Sequence, residues 1–180
     1  MGRIRTRRDI GKTALVFNST LLIYLAKARI IKRLTDLPFR LVTTRAVYQE
    51  AVEKGIEKHA KEVNELKNAF ESRIIEVVAH VDEDVVKKLK NSGIHYGEAT
   101  VISLSIELDG IAVMDDKRGR HVAKTLGVRV SSTPHVVIQL VRRGALTKQE
   151  GRQVIDMIIK EGWYCSIRSY TEIITAIEKA

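Results

Sequence analysis

Short apolar runs alternate with longer stretches of helical spacing along most of the chain. TALVF (13–17) is a continuous apolar run of strand length, and FRLVTT (39–44), IAVM (111–114) and VRV (128–130) repeat the pattern. Between the first two lies LLIYLAKARIIKRL (21–34), which predicts a helix with Leu22, Leu25, Ala26 and Ile30 on one face. After the second, Thr43 or Thr44 can cap a long helix over 46–70, with Val47, Ala51, Val63, Leu66 and Phe70 near helical spacing and a break or kink at Gly55. IIEVVAH (74–80) fits a strand or an extended connection, and residues 82–91 fit a short polar helix. GEATVISLSIEL (97–108) is helical but apolar on most sides, so it is expected to be deeply buried until Asp109 and Gly110 stop it. KRGRHVAKTL (117–126) predicts another helix. Pro134 opens one that runs through 143 to Gly144. Thr147 and Glu150 form a capping box for a helix to about 160, and Ser169 with Glu172 repeat that signature for the last helix.

Apolar strands alternating with helices predict an α/β fold: a three-layer α/β/α sandwich around a mainly parallel sheet of four to five strands. Only two prolines occur, so no proline-rich linker divides the 180 residues, and one core is expected. Open sheets of this kind place their sites just beyond the carboxyl ends of the strands.

Composition changes this picture in three respects. No apolar stretch is long enough to span a membrane, and MGRIRTRR lacks the long apolar region of a signal peptide, so a cytoplasmic setting is expected. A single cysteine, Cys165, excludes an internal disulfide and a multi-cysteine zinc site. The net charge is +9, and residues 1–12 carry Arg3, Arg5, Arg7, Arg8 and Lys12 against Asp9 alone. Such an excess favours polyanions, above all nucleic acid, or makes a solvated basic arm.

The predicted strand ends gather acids. Asn18, Ser19 and Thr20 follow the first strand. Glu50 lies one to two turns into the helix after the second strand, Glu98 begins the apolar helix, and Asp115 and Asp116 follow IAVM. If the strands are parallel neighbours, one rim collects Glu50, Glu98, Asp115, Asp116 and the Asn18 amide. Carboxylates crowded in a cleft repel each other, and a cation that neutralises them lets the cluster persist. All-oxygen donors select hard ions, Mg²⁺ or Mn²⁺, over zinc. Each acid also has a plain structural role open to it: Asp115 and Asp116 as turn and cap, Glu98 at a helix N-terminus, and Glu50 paired with Lys54. Their recurrence at three strand-to-helix junctions favours a metal site.

VFNSTLLIYLAKARI, VTTRAVYQEAVEKG and HYGEATVISLSIELDGIAVMDDKRGRHVAKTLGV, with the helix before RRGALT, together resemble the PIN-domain family over roughly residues 14–146. More narrowly they resemble its VapC-toxin-like branch, whose members often carry a GEAxA helix and a DDxxAR-like segment. The resemblance implies a metal-dependent endoribonuclease that hydrolyses RNA phosphodiesters, in a family where many members are toxins held by an antitoxin and many pair as homodimers. Carried over by position, the catalytic acids are Glu50, Glu98 and Asp116. The metal set is Asn18, Glu50, Glu98, Asp115 and Asp116, with Ser19 and Thr20 in support and Mg²⁺ or Mn²⁺ as cofactor. Lys117, Arg118 and Arg120 would hold flanking RNA phosphates; as plain helix cations they would simply face solvent. In domain terms this gives a basic arm over 1–12, a PIN-like domain over 13–146, and a helical extension over 147–180 packed on the same domain.

The departure is Asn18, where the family's first acid is typically aspartate. Asparagine keeps one ligand oxygen and removes a negative charge. A catalytically weak or inactive PIN domain that binds RNA or protein is therefore the alternative. Met114 also stands where many relatives have a hydroxyl residue. The five histidines show no metal-ligand spacing, and His95 near Glu98 is the only one worth testing. Cys165, after Trp163 and Tyr164, fits a packed position, and an aromatic content of 5% is thin for a base-stacking platform. A receiver-like regulator fits poorly, because its acceptor Asp and partner Lys are not at the expected strand ends.

Overall fold

A computed structural model describes residues 12–180. The predicted basic arm falls almost wholly outside the described residues. Five strands form one parallel sheet: β1 (Ala14–Phe17), β2 (Arg40–Thr44), β3 (Glu76–Val78), β4 (Ile111–Val113) and β5 (Arg129–Ser131), in the order β3-β2-β1-β4-β5. β1 is central, and all four of its residues are buried, as a strand covered on both faces requires. Glu76–Val78 resolves the open segment 74–80: it is an edge strand with half-buried side chains, so its pattern is mixed.

The connections run left from β1 to β2 and β3, then return to the right side of β1 for β4 and β5. The chain therefore reverses between β1 and β4, and that is where an open α/β sheet opens a crevice at its carboxyl edge. α1 (Ser19–Lys27), a 3₁₀ segment (Ile31–Asp36), α4 (Val63–Glu71) and α8 (Thr133–Arg142) pack as one layer. α5 (Glu83–Asn91), α6 (Tyr96–Glu107) and α7 (Lys117–Thr125) pack as the other. α9 (Lys148–Lys160) and α10 (Ile167–Glu178) stack on α8. The three-layer sandwich is the expected architecture.

Three helices differ from expectation. The helix predicted over 21–34 ends at Lys27, because Arg29 adopts φ +57° and the chain continues as the 3₁₀ segment. The long helix over 46–70 is broken into α2 (Arg45–Tyr48), a π-helical turn (Gln49–Glu53), α3 (Lys54–Glu57) and α4. The break falls at His59, with φ +53°, and not at Gly55. Gly55 acts instead by its missing side chain: a Cβ there would stand 2.6 Å from Val63 Cγ2, so glycine lets α4 fold back against α3. The last helix is capped by Ser166, whose side chain accepts from Ser169 N–H, and not by Ser169 with Glu172. The Thr147–Glu150 capping box forms in full.

Candidate functional site

At the carboxyl edge of the sheet each strand hands over to a capped helix. Asn18 ends β1, and its Oδ1 accepts from Leu21 N–H at 3.2 Å to cap α1. Its backbone N–H bonds Val113 O of β4 at 3.2 Å, which fixes it beside the β4 exit. Thr44 ends β2 and caps α2 through Val47 N–H. Asp116 follows β4 and caps α7, its Oδ1 accepting from Gly119 N–H at 2.8 Å. Asn, Thr and Asp suit these places because each side chain answers an N–H that the helix itself cannot.

Two of the predicted acids, Glu98 and Asp116, border one space here, and a third, Glu50, approaches the start of α6. Glu98 sits half-buried in the first turn of α6, and Asp116 is exposed at the start of α7. A Cβ on Gly119 would lie 3.5 Å from the Glu98 carboxyl carbon and 3.6 Å from Asp116 Oδ1, so both carboxyl groups border the same small space. Gly119 keeps that space open. Glu50 arrives from the opposite layer, on the π-helical turn after α2, and its Oε2 would be 3.0 Å from a Cβ on Gly97 at the start of α6. π-turns inside helices recur at functional sites. The electrostatics agree with the geometry. Burial raises the Glu98 pKa above the ordinary carboxylate range, and the Asp116 and Glu50 charges add to the rise. His95 and its backbone amide pull it back.

The other predicted residues have different surroundings. Asp115 is turned toward α8, where Oδ1 accepts from Thr133 N–H at 2.9 Å and Oδ2 from the Thr133 hydroxyl. It ties β4 to α8, and both its oxygens are already engaged. Ser19 is buried and Thr20 exposed on the first turn of α1. Lys117 is exposed next to Asp116. Arg118 donates to Ser92 O at 2.6 Å, and Gly93 makes room for its guanidinium, so this side chain holds the α5–α6 loop. Arg120 lines a cavity of about 450 Å³ along β5 and α8, together with Arg129, His135 and Gln139.

Two bonds in the site's framework were not foreseen. The Thr44 and Thr100 hydroxyls meet at 2.8 Å, joining the β2 exit to α6, and the Thr100 hydroxyl also reaches Gly97 O at 2.7 Å. A threonine among the few polar positions of a buried helix, with Ser103 and Ser105, is the available signal. The second is the Thr133 clasp on Asp115, which depends on tertiary approach and leaves no local trace.

A family model described as PIN domain matches residues 14–179. The chain belongs to the PIN-domain family. The crystal structure of PAE2754 from Pyrobaculum aerophilum shares the fold with this PIN domain, at a TM-score of 0.51 and 16% identity, over 74% of this chain and 98% of that one. No curated protein matches. Family members generally use divalent metal ions and bind RNA.

The residues of this PIN domain fit such an ion by the chemistry of their donors. Glu98 and Asp116 share one wall, Glu50 stands within electrostatic reach, and the set is all oxygen. Among the described residues no three His, Cys, Asp or Glu side chains already stand close enough to wrap an ion. Glu50 is exposed, Asp116 is exposed with its Oδ1 engaged as the α7 cap, and Glu98 is half-buried on the first turn of α6. No helix among the described residues is long and apolar enough to cross a membrane.

Proposed function

We propose that this PIN domain is a Mg²⁺- or Mn²⁺-dependent endoribonuclease of VapC-like type, working in the cytoplasm. The observation that carries the proposal is the pair of carboxyl groups, Glu98 and Asp116, bordering the space kept open by Gly119 at the sheet's switch point. A divalent ion bound there would lower the pKa of water and offset charge on the phosphate. Glu98 and Asp116 would hold the ion, with Asn18 beside the β4 exit as a further oxygen donor. Glu50, exposed on the π-helical turn, would orient the attacking water. Lys117 neutralises a flanking phosphate. Arg118 and Arg120 have a weaker claim to that role, because one secures a loop and the other lines the β5 cavity. Asp115 contributes by fixing the β4 exit.

The test is cleavage of single-stranded RNA with Mn²⁺, comparing wild type with Asp116→Asn and Glu98→Gln. Both variants should lose about 10²-fold or more in rate. Cleavage that survives both changes sinks the proposal. The toxin role follows from the branch resemblance, and with it an antitoxin as partner and a homodimer as the working form. The stacked pair α9 and α10 offers a surface for either contact. One observation favours a second reading, an RNA- or protein-binding module with weak or no catalysis: Asn18 stands where an acid is expected.

A further inference from the structure

We infer that Tyr164 is a stacking platform for one unpaired base of an RNA bound at the acid rim; the inference rests on the nuclease reading for its substrate class. Tyr164 lies in the connection between α9 and α10 and is 80% exposed, more than any other aromatic among the described residues. Exposed to this degree, the ring keeps a large, rigid apolar face open to a partner. A charged neighbour is informative. The Lys117 ammonium stands 6.0 Å from the ring centroid, and Lys117 directly follows Asp116. Lys117 thus links the ring to the start of α7, where Asp116 stands.

That order of groups suits a nucleotide. A phosphate over Lys117 would set its attached base within reach of the Tyr164 face, as in single-strand binding sites that alternate basic and aromatic groups. The connection is held in place at both ends. Glu161 pairs with Lys27 of α1, Trp163 N–H bonds Ile158 O at 2.9 Å, and Ser166 caps α10. Trp163 packs against the core while the next residue points outward, so the ring is presented on a fixed base. Ile167, on the first turn of α10, is also 89% exposed. A stacked base uses a π-face without hydrogen-bond readout, so the site would accept any base and would require it to be unpaired.

The experiment measures binding of a short fluorescein-labelled single-stranded RNA, and of the same sequence as a duplex, to full-length protein in EDTA. Tyr164→Ala should weaken single-strand binding about tenfold, the size of one stacked base, and Tyr164→Phe should restore it. Duplex binding should be unchanged in both. Trp163, the chain's one tryptophan, adjoins the platform, so its fluorescence should change on adding single strand to wild type and not to Tyr164→Ala. Because the side chain is exposed, truncation should leave the melting temperature as it was. Wild-type affinity in Tyr164→Ala overturns the inference, and so does an equal loss for single strand and duplex. So does a loss of dimer in the variant with RNA binding intact, which would make Tyr164 and Ile167 a self-association surface. Mn²⁺-dependent cleavage is assayed in parallel: cleavage without a Tyr164 effect sinks only the platform, while a Tyr164 effect without cleavage sinks only the nuclease.

Discussion

The hydroxyls of Thr44 and Thr100 meet at 2.8 Å, and through them the helix segment bearing Glu50 is tied to the helix bearing Glu98. Both residues are buried, at 1% exposure each. The two acids come from opposite layers of the sandwich, so their separation depends on how those layers are fastened at the rim.

Thr100→Val keeps the shape and removes the fastening. Thr44 keeps its bond from Val47 N–H, so the stability loss should be only about 1 kcal/mol. The loss of Mn²⁺-dependent cleavage should be larger in proportion, about tenfold, because small misplacement of a positioning group is costly to rate. Thr100→Ser, which restores the hydroxyl, should recover cleavage before it recovers stability. Urea unfolding and initial rates on one RNA decide it; equal recovery of both quantities would leave the bond without a positioning role.

Asp115 and Asp116 are neighbours with separate tasks, and substitution should separate them. Thr133→Val removes the hydroxyl that grips Asp115 and should cost about 1.5–3 kcal/mol, the range for a hydrogen bond to a charged group. Asp115→Asn should lower stability too, while Mn²⁺ affinity changes less than about tenfold. Asp116→Asn keeps a competent helix cap, so its stability should hold while Mn²⁺ affinity and cleavage collapse. Calorimetric Mn²⁺ titration beside thermal unfolding measures both. The reverse assignment would make Asp115 the ligand.

Much of this arrangement was legible in the residues. The apolar runs marked β1, β2, β4 and β5, most plainly β1, which is covered on both faces, and least plainly β5, an edge strand that is exposed or half-buried. The caps Thr44, Asp116 and Thr147 were legible because capping is local chemistry between a side chain and an amide three residues on. The strand-end rule then brought Glu50, Glu98 and Asp116 to one rim. The breaks at Arg29 and His59 were not legible, because their positive φ is imposed by packing and no glycine advertises it. The direction of Asp115 was hidden for the same reason: Thr133 is eighteen residues away in sequence. Tyr164 was hidden by composition, since a low aromatic content says nothing about where one exposed ring stands.

Glu98 should make folding stability depend on pH in an identifiable direction. Its pKa in the folded chain is raised by burial and by Asp116 and Glu50, so folding disfavours its charged form. Below the ordinary carboxylate range it is protonated in both folded and unfolded chains and contributes nothing. Above its folded pKa it is charged in both, and the folded chain bears the full penalty. Glu98→Gln should therefore be more stable than wild type near pH 7, with the difference vanishing toward about pH 4. Mn²⁺ should stabilise wild type in the upper part of that window and leave Glu98→Gln nearly unaffected. A variant less stable than wild type at neutral pH would show that the carboxylate is held by favourable bonds and not crowded.

Asn18→Asp tests the proposed chemistry most directly. Asn18 is buried, at 5% exposure, and its Oδ1 already caps α1. Aspartate caps a helix about as well as asparagine, and the positive end of the α1 dipole favours a negative charge there. The fold should therefore tolerate the change. What the substitution adds is one more charge at the rim that already holds Glu98 and Asp116, so the metal-free protein should melt at an equal or slightly lower temperature. With a divalent ion present the sign reverses: the added carboxylate strengthens the hard-oxygen set, and Mn²⁺ affinity should rise about tenfold. Cleavage of single-stranded RNA should rise with it if the native rim is weak but complete. If Asn18→Asp binds Mn²⁺ more tightly and still cleaves no RNA, the rim holds metal without hydrolysing, and the protein is the binding module. If Mn²⁺ affinity does not move, Asn18 lies outside the metal set and its place after β1 is explained by the cap alone.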